Sequence, residues 1–144
     1  MNPNPVAIID SNVVVAGILS RNSRSPVVRI IDGMLSARFA FAISLELLAE
    51  YHRVLRYPKV AKLHRLQSSQ IDDLLVELTL HAIVRDPPDI DVDIPDPDDR
   101  FLFSLMREFE QSVLITGDKA LLDHAPPWAS VVTPSDFVAL LHQP

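Results

Sequence analysis

The stretch DPDDRFLFSLMREFEQSVLITGD, residues 96–118, organises the rest of the chain. It opens with three acids, Asp96, Asp98 and Asp99, around Pro97, and closes on a fourth, Asp118. Between them, the residues from about Arg100 to Phe109 have helical spacing, and Val113-Leu114-Ile115 is a short apolar run ending in Thr116-Gly117-Asp118. A helix start and a strand end therefore each present a carboxylate. Carboxylates gathered in this way repel one another and raise each other's pKa unless a cation neutralises them. The cluster either points into water or holds a metal.

Upstream, Val6-Ala7-Ile8-Ile9 is a continuous apolar run ending at Asp10, the pattern of a strand buried on both faces of a parallel sheet. A helix is expected over the apolar stretch from Val13 to Ile18. A polar loop, Ser20 to Pro26, then carries Arg21 and Arg24; it is either a solvated loop or one that lies over the carboxylates and contacts phosphates. Pro26 suits the first turn of a second helix, through Val27, Ile30, Ile31, Met34 and Leu35. Phe39 to Ile43 reads as a second strand, and Ser44 as the cap of a helix that runs to about Arg56 and stops near Tyr57-Pro58. On that helix Glu50 lies about 40° from Val54, at the margin of the apolar arc formed by Leu47, Leu48, Tyr51, Val54 and Leu55. Glu50 either points into a cleft or pairs at the surface with Arg53. A short basic helix is expected over Lys59 to Leu66 and an amphipathic one over Gln70 to His81, followed by a third strand, Ala82 to Val84. The prolines and aspartates from Asp86 to Pro95 oppose regular structure. After Asp118 come a helical turn, Lys119 to Leu122, a last strand, Val131 to Thr133, and a C-terminal helix opened by Pro134-Ser135. Alternating strands and helices predict an α/β fold: a three-layer α/β/α sandwich around a mostly parallel sheet of about five strands.

At 144 residues the chain is expected to form a single domain, residues 1–144, with one sizeable core. A hydrophobic fraction of 48% and a charged fraction of 22% are those of a globular protein. There is no cysteine, which excludes disulfides, thiolate metal sites and a cysteine nucleophile. The N-terminal residues lack the basic and apolar regions of a secretory signal, and no apolar stretch approaches the ~20 residues of a membrane span, so a cytoplasmic protein without membrane contact is expected. The net charge of −6 provides no global attraction for nucleic acid; such a role must rest on local arginines and bound cations.

In an open parallel sheet, ligands bind beyond the C-terminal ends of the strands. Asp10 and Asp118 end strands, Glu50 follows the second strand, and the loop from Asp96 to Asp99 leads into the helix before the fourth, so these acids converge on one edge. Singly, each has a plainer role: an Asx turn at Asp10, helix caps at Asp98 or Asp99 and at Asp118. An oxygen-only set suits Mg²⁺ or Mn²⁺, ions that in phosphodiester hydrolysis acidify the attacking water and neutralise charge on the phosphate. No serine-histidine-acid arrangement competes, and His52 and His64 are expected to be exposed on helices. With only Gly17, Gly33 and Gly117, the chain has no phosphate-cradling glycine loop. An aspartyl-phosphate receiver built on Asp10 would want a lysine at a late strand end, where this chain has Asp118 followed by Lys119.

The segments Ile8-Ile9-Asp10-Ser11-Asn12-Val13, Ser44 to Tyr51 with Val54 to Lys59, Asp96-Pro97-Asp98-Asp99 and Leu114 to Lys119 together resemble the PIN-domain family, and within it the toxin components of bacterial toxin-antitoxin systems. The resemblance covers nearly the whole chain. It implies a Mg²⁺- or Mn²⁺-dependent endoribonuclease, with RNA as substrate, a cognate antitoxin as inhibitor, and a homodimer. It places the catalytic, metal-holding acids at Asp10, Glu50 and Asp118. Anchoring on Arg100-Phe101-Leu102 puts the third acid of the set at Asp99, whereas anchoring on Asp96-Pro97 puts it at Asp98. Asn12, Thr116 and Asp96 would be accessory polar positions and Ser44 the helix cap; Arg21, Arg24, Arg100 or Lys119 would position phosphates. The alternative, from another functional class, is a non-catalytic regulatory module that engages a partner protein through an apolar groove.

Overall fold

The computed structural model of the protein describes residues 5–142; residues 1–4, within the stretch expected to carry no secretory signal, lie outside the described residues, as do 143 and 144. β1 (Val6–Ile9) pairs in parallel with β4 (Ser112–Ile115), bringing Ile9 opposite Ile115, and β4 pairs in parallel with β5 (Val131–Val132). A second parallel ladder joins β2 (Ala42–Ile43) to β3 (Ile83–Val84). A parallel bridge between Ala7 and Phe41 sets the two ladders side by side, in the order β3-β2-β1-β4-β5. The expected α/β architecture with parallel strands is therefore present.

The β1 and β4 side chains are buried on both sides, with Ile8, Ile9, Leu114 and Ile115 fully enclosed. A parallel pair needs a crossover, and right-handed crossovers put helices on opposite faces when the strand order reverses direction. From β1 the chain steps outward through α1 (Ser11–Leu19) and α2 (Pro26–Leu35) to β2, then through α3 (Leu45–Val54), α4 (Pro58–His64) and α5 (Ser68–His81) to β3. It returns across the sheet through α6 (Arg100–Met106) to β4, and continues through α7 (Lys119–His124), β5 and α8 (Pro134–Leu141). No helix among the described residues is long and apolar enough to cross a membrane.

Several boundaries move for identifiable reasons. The ladder of β2 holds only Ala42 and Ile43 of the expected five residues; Phe41 pairs with Ala7 of β1 instead, and the Phe39 ring stands edge-on to Phe41 and Phe137, at 6.1 and 5.1 Å between centroids. α6 stops at Met106, whose carbonyl accepts a hydrogen bond from the Ser112 hydroxyl at 3.0 Å. α4 stops at His64 because Arg65 enters the left-handed region at φ 58°. His64 is not exposed as expected: its Nδ1 accepts from the Leu66 amide and its Nε2 meets the Leu55 carbonyl, both at 2.8 Å, which ties α4 to the end of α3. The segment from Asp86 to Pro95 has no regular structure, as expected, yet it is anchored. Ile94 is buried, Ile90 and Val92 pack on the core, and the Ile90 amide donates to the Ser104 hydroxyl at 3.2 Å.

Candidate active site

Asp10 follows the last residue of β1 and caps α1, its Oδ1 accepting from the Ser11 amide at 2.8 Å. Only 6% of it is exposed. Its other oxygen accepts from the Thr116 hydroxyl at 2.7 Å and from the Asn12 amide at 3.2 Å. Thr116 stands directly after β4, so the pairing of β1 with β4 delivers both residues to the same strand edge. The Thr116 hydroxyl oxygen also accepts from the Asn12 side-chain amide at 3.2 Å and from the Asp118 backbone amide at 3.0 Å, while Asn12 Oδ1 accepts from the Gly117 backbone amide at 3.0 Å. Asp118 Oδ1 in turn caps α7 through the Ala120 amide at 2.9 Å. This network holds Asp10 and the Thr116-Gly117-Asp118 turn as one unit.

Ser44 caps α3 by accepting from the Leu47 amide at 3.1 Å, which sets the register that places Glu50 and Tyr51. Tyr51 is fully buried and its hydroxyl donates to the Ile9 carbonyl, tying α3 to the residue before Asp10. Sequence reasoning misses Tyr51 as a site residue because it counts as one more member of the apolar arc; its signal is the single phenol in an otherwise aliphatic stripe. Burial raises its pKa well above the usual phenol range, and the charges of Asp10 and Glu50 add to that. Glu50 pairs with Arg53 at 3.3 Å, one of its two expected roles; its side chain is 20% exposed and its charge bears on Asp10.

Asp96 accepts from the Asp98 amide at 3.0 Å and starts a single turn of 3-10 helix, Pro97–Asp99, that leads into α6. Asp98 is exposed on that turn, whereas Asp99 is half-buried. Burial, then the charges of Asp10, Asp96, Glu50 and Asp118, push the Asp99 carboxyl up to about 7. For Asp10, burial raises the pKa and the Thr116 hydrogen bond opposes it, with Glu50 and Asp118 pushing upward again. Asp10, Glu50, Asp99 and Asp118 thus lie near enough to act on one another electrostatically, with Asp96 beside them.

Among the described residues, no three acids or histidines are drawn together tightly enough to hold an ion as they stand. The donor set nonetheless fits a hard divalent cation in chemistry and charge: oxygen ligands only, each carrying the repulsion that a cation would relieve. Beside Asp118 is a cleft of about 290 Å³, lined also by Asn12, Val13, Ala16, Val27, Gly117 and Pro134.

No curated protein matches the chain. Its sequence does match the PIN domain, over residues 6–120. Since that stretch runs from the first residue of β1 to just past Asp118 and takes in every acid of the cluster, the chain belongs to the PIN-domain family, a family of nucleases.

Proposed function

We propose that the chain is an endoribonuclease dependent on Mg²⁺ or Mn²⁺, acting in the cytoplasm as the toxin component of a toxin-antitoxin pair. The observation that supports this best is the gathering of acids at one end of a parallel sheet: the carboxyl of Asp99 is raised first by burial and then by the charges of Asp10, Asp96, Glu50 and Asp118. Asp10, Glu50, Asp99 and Asp118 would hold the ion, with Asp98 the less suited position because it is exposed. A bound divalent ion would supply positive charge against the attacked phosphate and make water a better nucleophile. The chain's own residues supply the framework. Thr116, Asn12 and the Ser11 amide keep Asp10 oriented, Tyr51 and Ser44 hold the helix that carries Glu50, and the anchored loop before Asp96 sets the position of Asp99.

Cleavage of a labelled single-stranded RNA by the wild type and by Asp10→Asn, each with Mn²⁺, Mg²⁺ or a chelator, tests the proposal. Cleavage that requires the ion and disappears in the variant supports it. Cleavage that survives both the substitution and the chelator sinks it.

A protein partner is also part of the proposal, either a second copy or the cognate antitoxin. An apolar cleft of about 390 Å³ between α3 and α5, lined by Leu48, Leu75, Val76 and Leu80, supports that part, with Val76 and Leu80 both exposed. Light scattering of the purified chain, with Leu80→Glu as comparison, distinguishes a dimer from a monomer.

A further inference from the structure

Away from the acids, a cleft of about 470 Å³ is lined by Arg29 and Gly33 of α2, by Arg38 just beyond that helix, and by Val138, Leu141 and His142 at the end of α8. Arg29 and Arg38 are exposed, and among the described residues neither has a carboxylate within 4.0 Å. The Arg29 guanidinium donates to Nε2 of His142 at 3.2 Å, which steadies one of the two positive groups; arginine has no acceptor, so the imidazole nitrogen accepts. The sequence concentrates charge here as well. Residues 21–38 hold Arg21, Arg24, Arg29 and Arg38 against the single acid Asp32, a local positive excess in a chain of net charge −6.

Exposed arginines are ordinarily just solvated. What sets these apart is the seam they lie on. The cleft beside Asp118 is lined by Val27 of α2 and Pro134 of α8, and the arginine cleft by Arg29 and Gly33, then Val138 and Leu141, further along the same two helices. From Pro134 to Leu141 is about 10 Å of helix. A polyanion brought to a cluster of carboxylates is repelled there, so its remaining phosphates need cationic contacts nearby.

We infer that the seam between α2 and α8 is the track of the substrate backbone: with the reacting phosphodiester at the acids, phosphates further along a single RNA strand are held by Arg29 and Arg38. Guanidinium groups bind phosphate oxygens in bidentate fashion and carry no base preference, so the track positions the strand without reading its sequence. The inference rests on the nuclease proposal and supplies its substrate path.

The test measures binding of a fluorescent single-stranded RNA in chelator, across a salt series, for wild type, Arg29→Gln, Arg38→Gln and the double variant. Arg107→Gln, just past the end of α6, controls for the loss of one positive charge. Each seam substitution is expected to weaken binding equally for RNAs of different sequence and to lower the slope of log affinity against log salt by about 0.7 for each phosphate left without its guanidinium. The control is expected to bind like the wild type. Unchanged affinity and slope in the double variant overturn the track, even where inorganic phosphate, the second probe, binds wild type through these arginines. Cleavage with added Mn²⁺ is scored separately. Protein that shows the expected binding losses but never cleaves removes the nuclease proposal and leaves the seam as a nucleic-acid binding surface. Protein that cleaves while the double variant binds unchanged removes the seam and leaves the nuclease.

Discussion

Thr116 is wholly buried, and its one hydroxyl donates to Asp10 while accepting from Asn12 and from the Asp118 amide. Replacing it with valine keeps the shape and removes all three bonds, leaving a buried carboxylate oxygen with a single partner. Thr116→Val is expected to lose about 1–3 kcal/mol of stability in chemical denaturation. Under the proposed role of Asp10 as a metal ligand, it is also expected to weaken metal affinity or activity roughly 10- to 100-fold, the usual effect of losing a group that orients a ligand. Asp99 gives a second prediction at this scale. Its folded pKa of about 7 exceeds the ordinary carboxyl value of 3.8, so between those pH values the folded chain keeps a proton that the unfolded chain releases. Stability in chelator should therefore fall as pH rises through that window, and the raised pKa of Asp10 acts in the same direction. Melting temperature measured from pH 5 to pH 8 should decline for the wild type and decline less for Asp99→Asn; parallel curves would refute it. The sequence leaves the choice between Asp98 and Asp99 open because adjacent acids in one turn look alike, and only burial separates them.

The helices depend on close approaches that the sequence does not announce. At Gly17, on α1, an added Cβ would meet the Ile31 side chain and stand 2.8 Å from the Val27 carbonyl oxygen of α2. The backbone oxygen cannot turn aside, so Gly17→Ala should force α1 and α2 apart, at a cost of about 1–3 kcal/mol read from denaturant midpoints. Since α1 begins at Asp10 and α2 carries Val27 beside Asp118, that displacement should lower activity as well. Element types are legible in the chain because apolar runs and helical stripes are strong signals, and Pro26, Ser44 and Pro134 mark helix starts as expected. Ends are harder to place. Phe39 belongs to an apolar run, but its ring serves the packing of Phe137 rather than a ladder, and His64 sits on a polar helix but satisfies backbone groups of its neighbours. Ile90, Val92 and Ile94 alternate with acids, and that alternation is the available sign that the loop before Asp96 packs on the core.

For the whole molecule, order along the sheet matters more than any one contact. β1 occupies the middle of the arrangement and β4, its partner on one side, lies near the end of the chain; Asp10 and Thr116 are 106 residues apart in sequence. The convergence of acids is legible because acids at strand ends of a parallel sheet share an edge, but the tie between Asp10 and Thr116 needs the register of β1 against β4. Such distant pairings are slow to form. On a ribosome adding about 5–20 residues per second, the gap corresponds to roughly 5–20 s during which the first acid has been made and its anchor has not. A nascent or prematurely terminated chain that stops short of Thr116 therefore carries Asp10 without its anchor on β4, and the edge that gathers Asp10, Thr116 and Asp118 cannot form on it.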